Sequence, residues 1–131
     1  MTLGRREFVT AAGVVVTSAL LPIGVAADTR MHGLIGKMLV TPGKREDLIK
    51  ILLEDVSEMP GCLSYIVGRD PKDENAVWIT EVWDSKESHQ ASLRLASVRA
   101  AIAKARPIIA GFGESFTTEP IGGFGLAKPK R

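Results

Sequence analysis

Apolar and polar positions fall into blocks whose period changes along the chain. Residues 8–27 carry no charge at all. Residues 31–40 (MHGLIGKMLV) are mostly apolar and stop at Thr41-Pro42-Gly43, which predicts a strand ending in a turn. Over residues 44–59 the period becomes helical: Leu48, Ile51, Leu52, Val56 and Met59 share one side, with Lys50, Glu54 and Glu58 on the other. Pro42-Gly43 opens this predicted helix and Pro60-Gly61 closes it. Residues 62–69 (CLSYIVGR) and 76–84 (AVWITEVWD) are strand-like runs joined by the polar segment 70–75, and predict a hairpin. Residues 85–95 predict a helix with Ser85 as N-cap and Ser88 at N3. Residues 96–106 predict a second helical piece with Val98 and Ile102 facing inward; Pro107 interrupts it and residues 108–111 complete the turn. Residues 112–119 (FGESFTTE) alternate like a strand, and the Gly-, Pro- and Lys-rich stretch 120–131 predicts a loose tail or an arm over a partner.

The order β-α-β-β-α-β predicts an α+β fold of the ferredoxin-like, split βαβ type, with helices on one face of an antiparallel sheet. Along residues 77–83, Trp78, Thr80 and Val82 point to one side and Val77, Ile79, Glu81 and Trp83 to the other. Both sets are substantially apolar, so both faces are expected to be buried. A second subunit's sheet is the natural cover for the face without helices, and a homodimer is the expected assembly.

The uncharged run at the start has its own logic. Arg5-Arg6 precede it and Val25-Ala26-Ala27 end it before Asp28, the order of a twin-arginine export signal with a small-residue cleavage site after Ala27. A retained membrane anchor is the alternative, but the run is rich in Ala, Gly, Ser and Thr and is broken by Pro22 and Gly24. The expected organisation is a signal over residues 1–27, a domain over 28–120 and a flexible tail over 121–131. The mature protein is expected in the periplasm or secreted, with no stable membrane insertion after cleavage. Loss of Arg5, Arg6 and Glu7 takes the formal net charge from +2 to +1. Neither value gives the basic stripe that nucleic acid requires. Cys62, the single cysteine, leaves a buried thiol or a bridge to another chain, and its apolar run favours the buried thiol.

Three segments carry a family resemblance: Pro60-Gly61-Cys62-Leu63-Ser64-Tyr65, then Arg69-Asp70-Pro71, then Glu81-Val82-Trp83-Asp84-Ser85-Lys86-Glu87. In these the chain resembles the antibiotic biosynthesis monooxygenase superfamily, over roughly residues 31–120. The resemblance implies a dimeric α+β barrel and an oxygenase chemistry without flavin, haem or metal. A quinol-like or polyphenolic substrate supplies the reducing power, an enzyme base takes its proton, and the anion reacts with O₂. Trp83 matches the family's tryptophan and reads as a pocket wall or as plain core. Glu81, on the same strand face, is a second catalytic candidate; a carboxylate there is costly unless paired, for example with Arg69 or Arg99. Many relatives carry a histidine nine residues after that tryptophan. Here Ser92 holds that position, and His89 stands one turn earlier.

His89, Ser92 and Leu93 share a helix face, and imidazole titrates in the range a general base needs. A solvent-facing histidine is the other reading. Tyr65 is a candidate donor to an oxyanion, and Ser92 a pocket residue. His32 is expected to be exposed, and the two histidines lack metal-ligand spacing, so no metal site is expected. Phosphate-cradling glycine motifs are absent from the sequence. The readings of function are therefore a quinol-type monooxygenase and, as alternative, a non-enzymatic dimeric binding module for a small apolar or quinone ligand. Haem degradation fits less well, because the helix lacks the expected histidine position and residues 31–40 hold no Asn.

Overall fold

The computed structural model describes residues 30–54 and 59–128. The twin-arginine segment, with Arg5, Arg6 and Ala27, lies outside them. The element order is β1 (His32–Val40), α1 (Arg45–Leu53), β2 (Cys62–Arg69), β3 (Ala76–Trp83), α2 (Lys86–Ser92), α3 (Ala96–Ala105), a 3-10 turn (Arg106–Ile108) and β4 (Ile109–Thr118). The four strands form one sheet in the order β2-β3-β1-β4, and every neighbouring pair is antiparallel. This is the expected ferredoxin-like α+β arrangement. Its core lies between sheet and helices, where Val40, Leu48, Val77 and Ala105 are buried and Met38, Ile51, Leu52 and Ile109 pack around them.

Local chemistry explains most boundaries. The Ser85 hydroxyl accepts from the Ser88 N–H at 3.0 Å and caps α2 as its position predicts. The Arg45 guanidinium donates to the carbonyls of Asp70, Asp73 and Ala76, locking the β2–β3 loop to the start of α1. In that loop the Asp70 carboxylate accepts from the Lys72 and Asp73 N–H groups and from the Trp78 indole at 2.9 Å. Gly61 has a φ of +86°, and its carbonyl accepts from the Asp84 N–H at 2.8 Å, so this glycine closes the entry to β2 against the end of β3.

Three boundaries depart from expectation. Helix α2 stops at Ser92, short of the predicted Leu95. Helix α1 ends at Leu53, where Glu54 adopts extended backbone, and does not reach Met59 as a helix. The apolar spacing suggested otherwise because Met59 still faces the same cavity as Ile51 and Leu52. Strand β4 begins at Ile109, before the predicted Phe112. Register shifts between Gly36 and Met38, and again between Leu39 and Val40, break the alternation that would have marked it.

Among the described residues no helix covers the second sheet face, and part of it stays open, so the expectation that both faces are buried is not met by these residues alone. Ile35 and Ile66 pair in register with Thr80, and Phe116 pairs with Ile35. Ile66 and Phe116 are more than half exposed. After β4, Pro120 crosses against Gly33, where an added Cβ would sit 2.9 Å from the proline ring. Farther on, the Ala127 N–H donates to the Leu63 carbonyl at 2.9 Å. The segment expected to be loose is therefore tied to β2 near its far end, while Ile121 and Phe124 between these ties stand fully exposed.

Candidate functional site

The alternation of β3 places Ile79, Glu81 and Trp83 on the helix side of the sheet. With Tyr65 from β2, His89 and Ser92 from α2, and the inner faces of α1 and α3, they line a cavity of about 390 Å³. Most of its wall is aliphatic, supplied by Met38, Ile51, Leu52, Val98 and Ile109 among others, and Phe112 stands at an exposed edge. A neighbouring groove of about 290 Å³ along β1 and β4 shares Met38, Ile79, Glu81 and Phe112 with it. This volume and composition fit a small, mostly apolar ligand.

The polar groups are few and connected. Trp83 is 1% exposed, and its Nε1–H donates to Glu81 Oε1 at 2.8 Å. One oxygen of Glu81 thus has its donor two positions on, along the same strand face. The arginines weighed as its partners are elsewhere: Arg69 makes a two-pronged ion pair with Glu46 at 2.6 and 2.8 Å. His89 sets its ring edge against Trp83, with centroids 5.4 Å apart. On its other side is His32, 5.7 Å away. His32 is half-buried, contrary to the expectation of exposure, because the antiparallel register sets it opposite Trp83. Ser92 is buried and donates its hydroxyl hydrogen to the His89 carbonyl at 2.6 Å, so that proton is used within the helix.

Burial perturbs the two titratable rings in opposite senses. It lowers the His89 pKa; the Glu81 charge opposes this and His32 adds to it. It raises the Tyr65 pKa well above the ordinary phenol value, helped by the Glu81 charge. At neutral pH the cavity therefore offers a neutral imidazole able to accept a proton and a phenol that keeps its own. The same burial raises the Cys62 thiol. Among the described residues, no cluster of His, Cys, Asp and Glu is suited to a metal ion.

His89, Glu81, Trp83, Tyr65 and Ser92 all face this one cavity. Sequence reasoning missed His32 and Phe112. Only the strand register reveals His32, and the local pattern marks Phe112 merely as the start of a strand.

No curated protein matches the chain. Among solved structures, a Chloroflexus aurantiacus J-10-fl protein is 62% identical, with a TM-score of 0.72 over 74% of this chain and 99% of its own. It carries the antibiotic biosynthesis monooxygenase name as a provisional assignment. A Caulobacter crescentus CB15 protein named in the same provisional way is 22% identical, with a TM-score of 0.65 over 72% of this chain and 92% of its own, and shows the shared fold. The family pattern described as antibiotic biosynthesis monooxygenase matches residues 31–104, more than half of the sequence and nearly all of the elements around the cavity. The chain belongs to the antibiotic biosynthesis monooxygenase family.

Proposed function

We propose that this protein is a cofactor-independent monooxygenase that oxidises a quinol-like or polyphenolic aromatic with O₂. The observation that carries this reading is the cavity itself: an apolar enclosure in which a neutral imidazole, a carboxylate and a phenol face the same space. In the mechanism, a flat quinol lies against Trp83 and Tyr65. His89 removes a phenolic proton, which is general-base catalysis by a group whose burial keeps it unprotonated. The electron-rich anion adds to O₂ at a ring carbon. The O–O bond then breaks as the oxygenated ring carbon gives up its hydrogen: one oxygen stays on the ring, and the other leaves as water, taking that hydrogen and the proton His89 had held. The products are a hydroxylated quinone and one water, and the substrate supplies every electron. The Tyr65 O–H stabilises the developing oxyanion, and Glu81, held by the Trp83 indole, orients a substrate hydroxyl.

The assembly proposed is a homodimer joined through the sheet face opposite the helices, supported by the exposed Ile66 and Phe116. The location proposed is the periplasm or beyond it, supported by Arg5-Arg6 and the Val25-Ala26-Ala27 exit. N-terminal sequencing of the exported protein tests this; an intact N-terminus recovered from membranes overturns cleavage after Ala27.

The central experiment follows oxygen uptake with menadiol and related quinols above the autoxidation blank. Enhancement that falls in His89→Ala and Glu81→Gln supports the reading. Measurable ligand binding without enhancement across the panel replaces it with the binding module.

A further inference from the structure

We propose that the cavity accepts uncharged aromatic ligands and turns away those bearing a carboxylate, sulfonate or phosphate, and that Glu81 is the specificity-determining residue. This rests on the reading of the cavity as an aromatic-binding site. It adds a choice among ligands that the reaction itself does not require, since an anionic quinol is as oxidisable as a neutral one.

The lining is one-signed. Two carboxylates, Glu54 and Glu81, face the space, and among the described residues no lysine or arginine does. The two acids are not equivalent. Glu54 is at the mouth, 44% exposed, and its Oε1 is ion-paired with Lys104 at 3.2 Å, outside the lining. Glu81 lies deeper, and its hydrogen-bond donor is the uncharged Trp83 indole. The ion pairs among the described residues fall on Glu46, Asp47, Glu54 and Asp70 instead.

The field of Glu81 reaches across the cavity: after burial, it is the next influence on both Tyr65 and His89. His89, with its pKa lowered, adds no compensating positive charge at neutral pH. An anionic ligand entering here gives up its water, meets no cation, and faces a like charge where screening is weak. A neutral phenol has the opposite experience, because its O–H finds acceptors in Glu81 and His89 and its ring finds Trp83.

The probes are 2-naphthol and 2-naphthoate, the same ring system with a neutral or an anionic substituent at neutral pH. Binding to the folded protein is measured by calorimetry. The naphthol is expected to bind at least about tenfold more tightly, the size of a modest Coulombic penalty. In Glu81→Gln, which keeps an oxygen to accept from Trp83, naphthoate affinity rises about tenfold and the preference largely closes. Glu54→Gln leaves the preference intact. Equal affinities in the wild type, or a preference that survives Glu81→Gln, overturn the proposal while leaving the aromatic pocket standing. Failure of both probes to bind overturns the pocket reading as well. Equal wild-type affinities overturn the proposal even where the Gln variant fails to fold.

Discussion

The Trp83–Glu81 hydrogen bond holds the deeper of the cavity's two carboxylates in place, and its strength can be measured. Trp83→Phe keeps an aromatic ring but removes the indole donor that lies 2.8 Å from Glu81 Oε1. A hydrogen bond to a charged group contributes about 1.5–3 kcal/mol. Trp83 is 1% exposed, so the smaller ring also leaves unfilled volume beside the cavity, costing on the order of 1 kcal/mol. The expected loss is about 2–4 kcal/mol. In a domain of roughly 100 residues each kcal/mol moves Tm by about 4–8 °C, so the melt should fall by about 10–30 °C.

Volume loss and bond loss must be separated, and a double-mutant cycle does this. Urea unfolding of Trp83→Phe, Glu81→Ala and the double variant should return a coupling of about 1–2 kcal/mol. A coupling within about 0.5 kcal/mol of zero would mean that the contact carries no energy, and Glu81 would lose its claim to a fixed position.

The remaining predictions concern protonation and two glycines. Oxygen uptake should rise with pH through a limb whose midpoint lies below 6.5, because burial lowers His89 and only its neutral form accepts a proton. His32→Gln removes an influence that lowers His89, so the limb moves to higher pH; Glu81→Gln removes one that raises it, so the limb moves to lower pH. Shifts in the same direction, or none, would remove His89 as the base. Asp70 is held down to about 2, chiefly by the Lys72 N–H and then by the Trp78 indole, so its charged form stabilises the fold above its ordinary value of 3.8. That contribution fades as pH falls toward about 2, and the stability gap between wild type and Asp70→Asn in urea titrations should close over that interval. Gly61→Ala should cost clearly more than Gly43→Ala. Both have positive φ, a penalty of about 1–2 kcal/mol, but only at Gly61 does the new Cβ come within 2.6 Å of Ser88. Equal melting losses for the two would contradict the close approach.

The element order was legible because the apolar period changes cleanly from two to about 3.6 and back, with turn residues at the joints. The alternation in residues 77–83 was enough to put Ile79, Glu81 and Trp83 on one face, and helix spacing was enough to put His89 with Ser92. These are local rules, and they assembled most of the cavity's polar groups. What they could not supply is register. His32 meets Trp83 and His89 only because β1 and β3 pair with a particular offset, and no local pattern in residues 31–40 encodes that offset. The end of α1 escaped for a related reason. A chain that leaves the helix and returns to the same apolar surface shows the same spacing as a helix that continues.

One physical cause, burial, gives this cavity two opposite chemical capacities. Water excluded from the space between sheet and helices disfavours whichever protonation state is charged. For an imidazole that state is the cation, so His89 is left ready to accept; for a phenol it is the anion, so Tyr65 is left ready to donate. Glu81 then acts against the first shift and with the second, because a fixed negative charge favours protonation of both. Its removal should therefore leave a stronger donor in Tyr65 and a weaker base in His89. Base strength and donor strength cannot be tuned independently while one carboxylate faces both rings. Separating pocket residues whose protonation preferences diverge is how a single enclosure comes to hold both an acceptor and a donor near neutral pH.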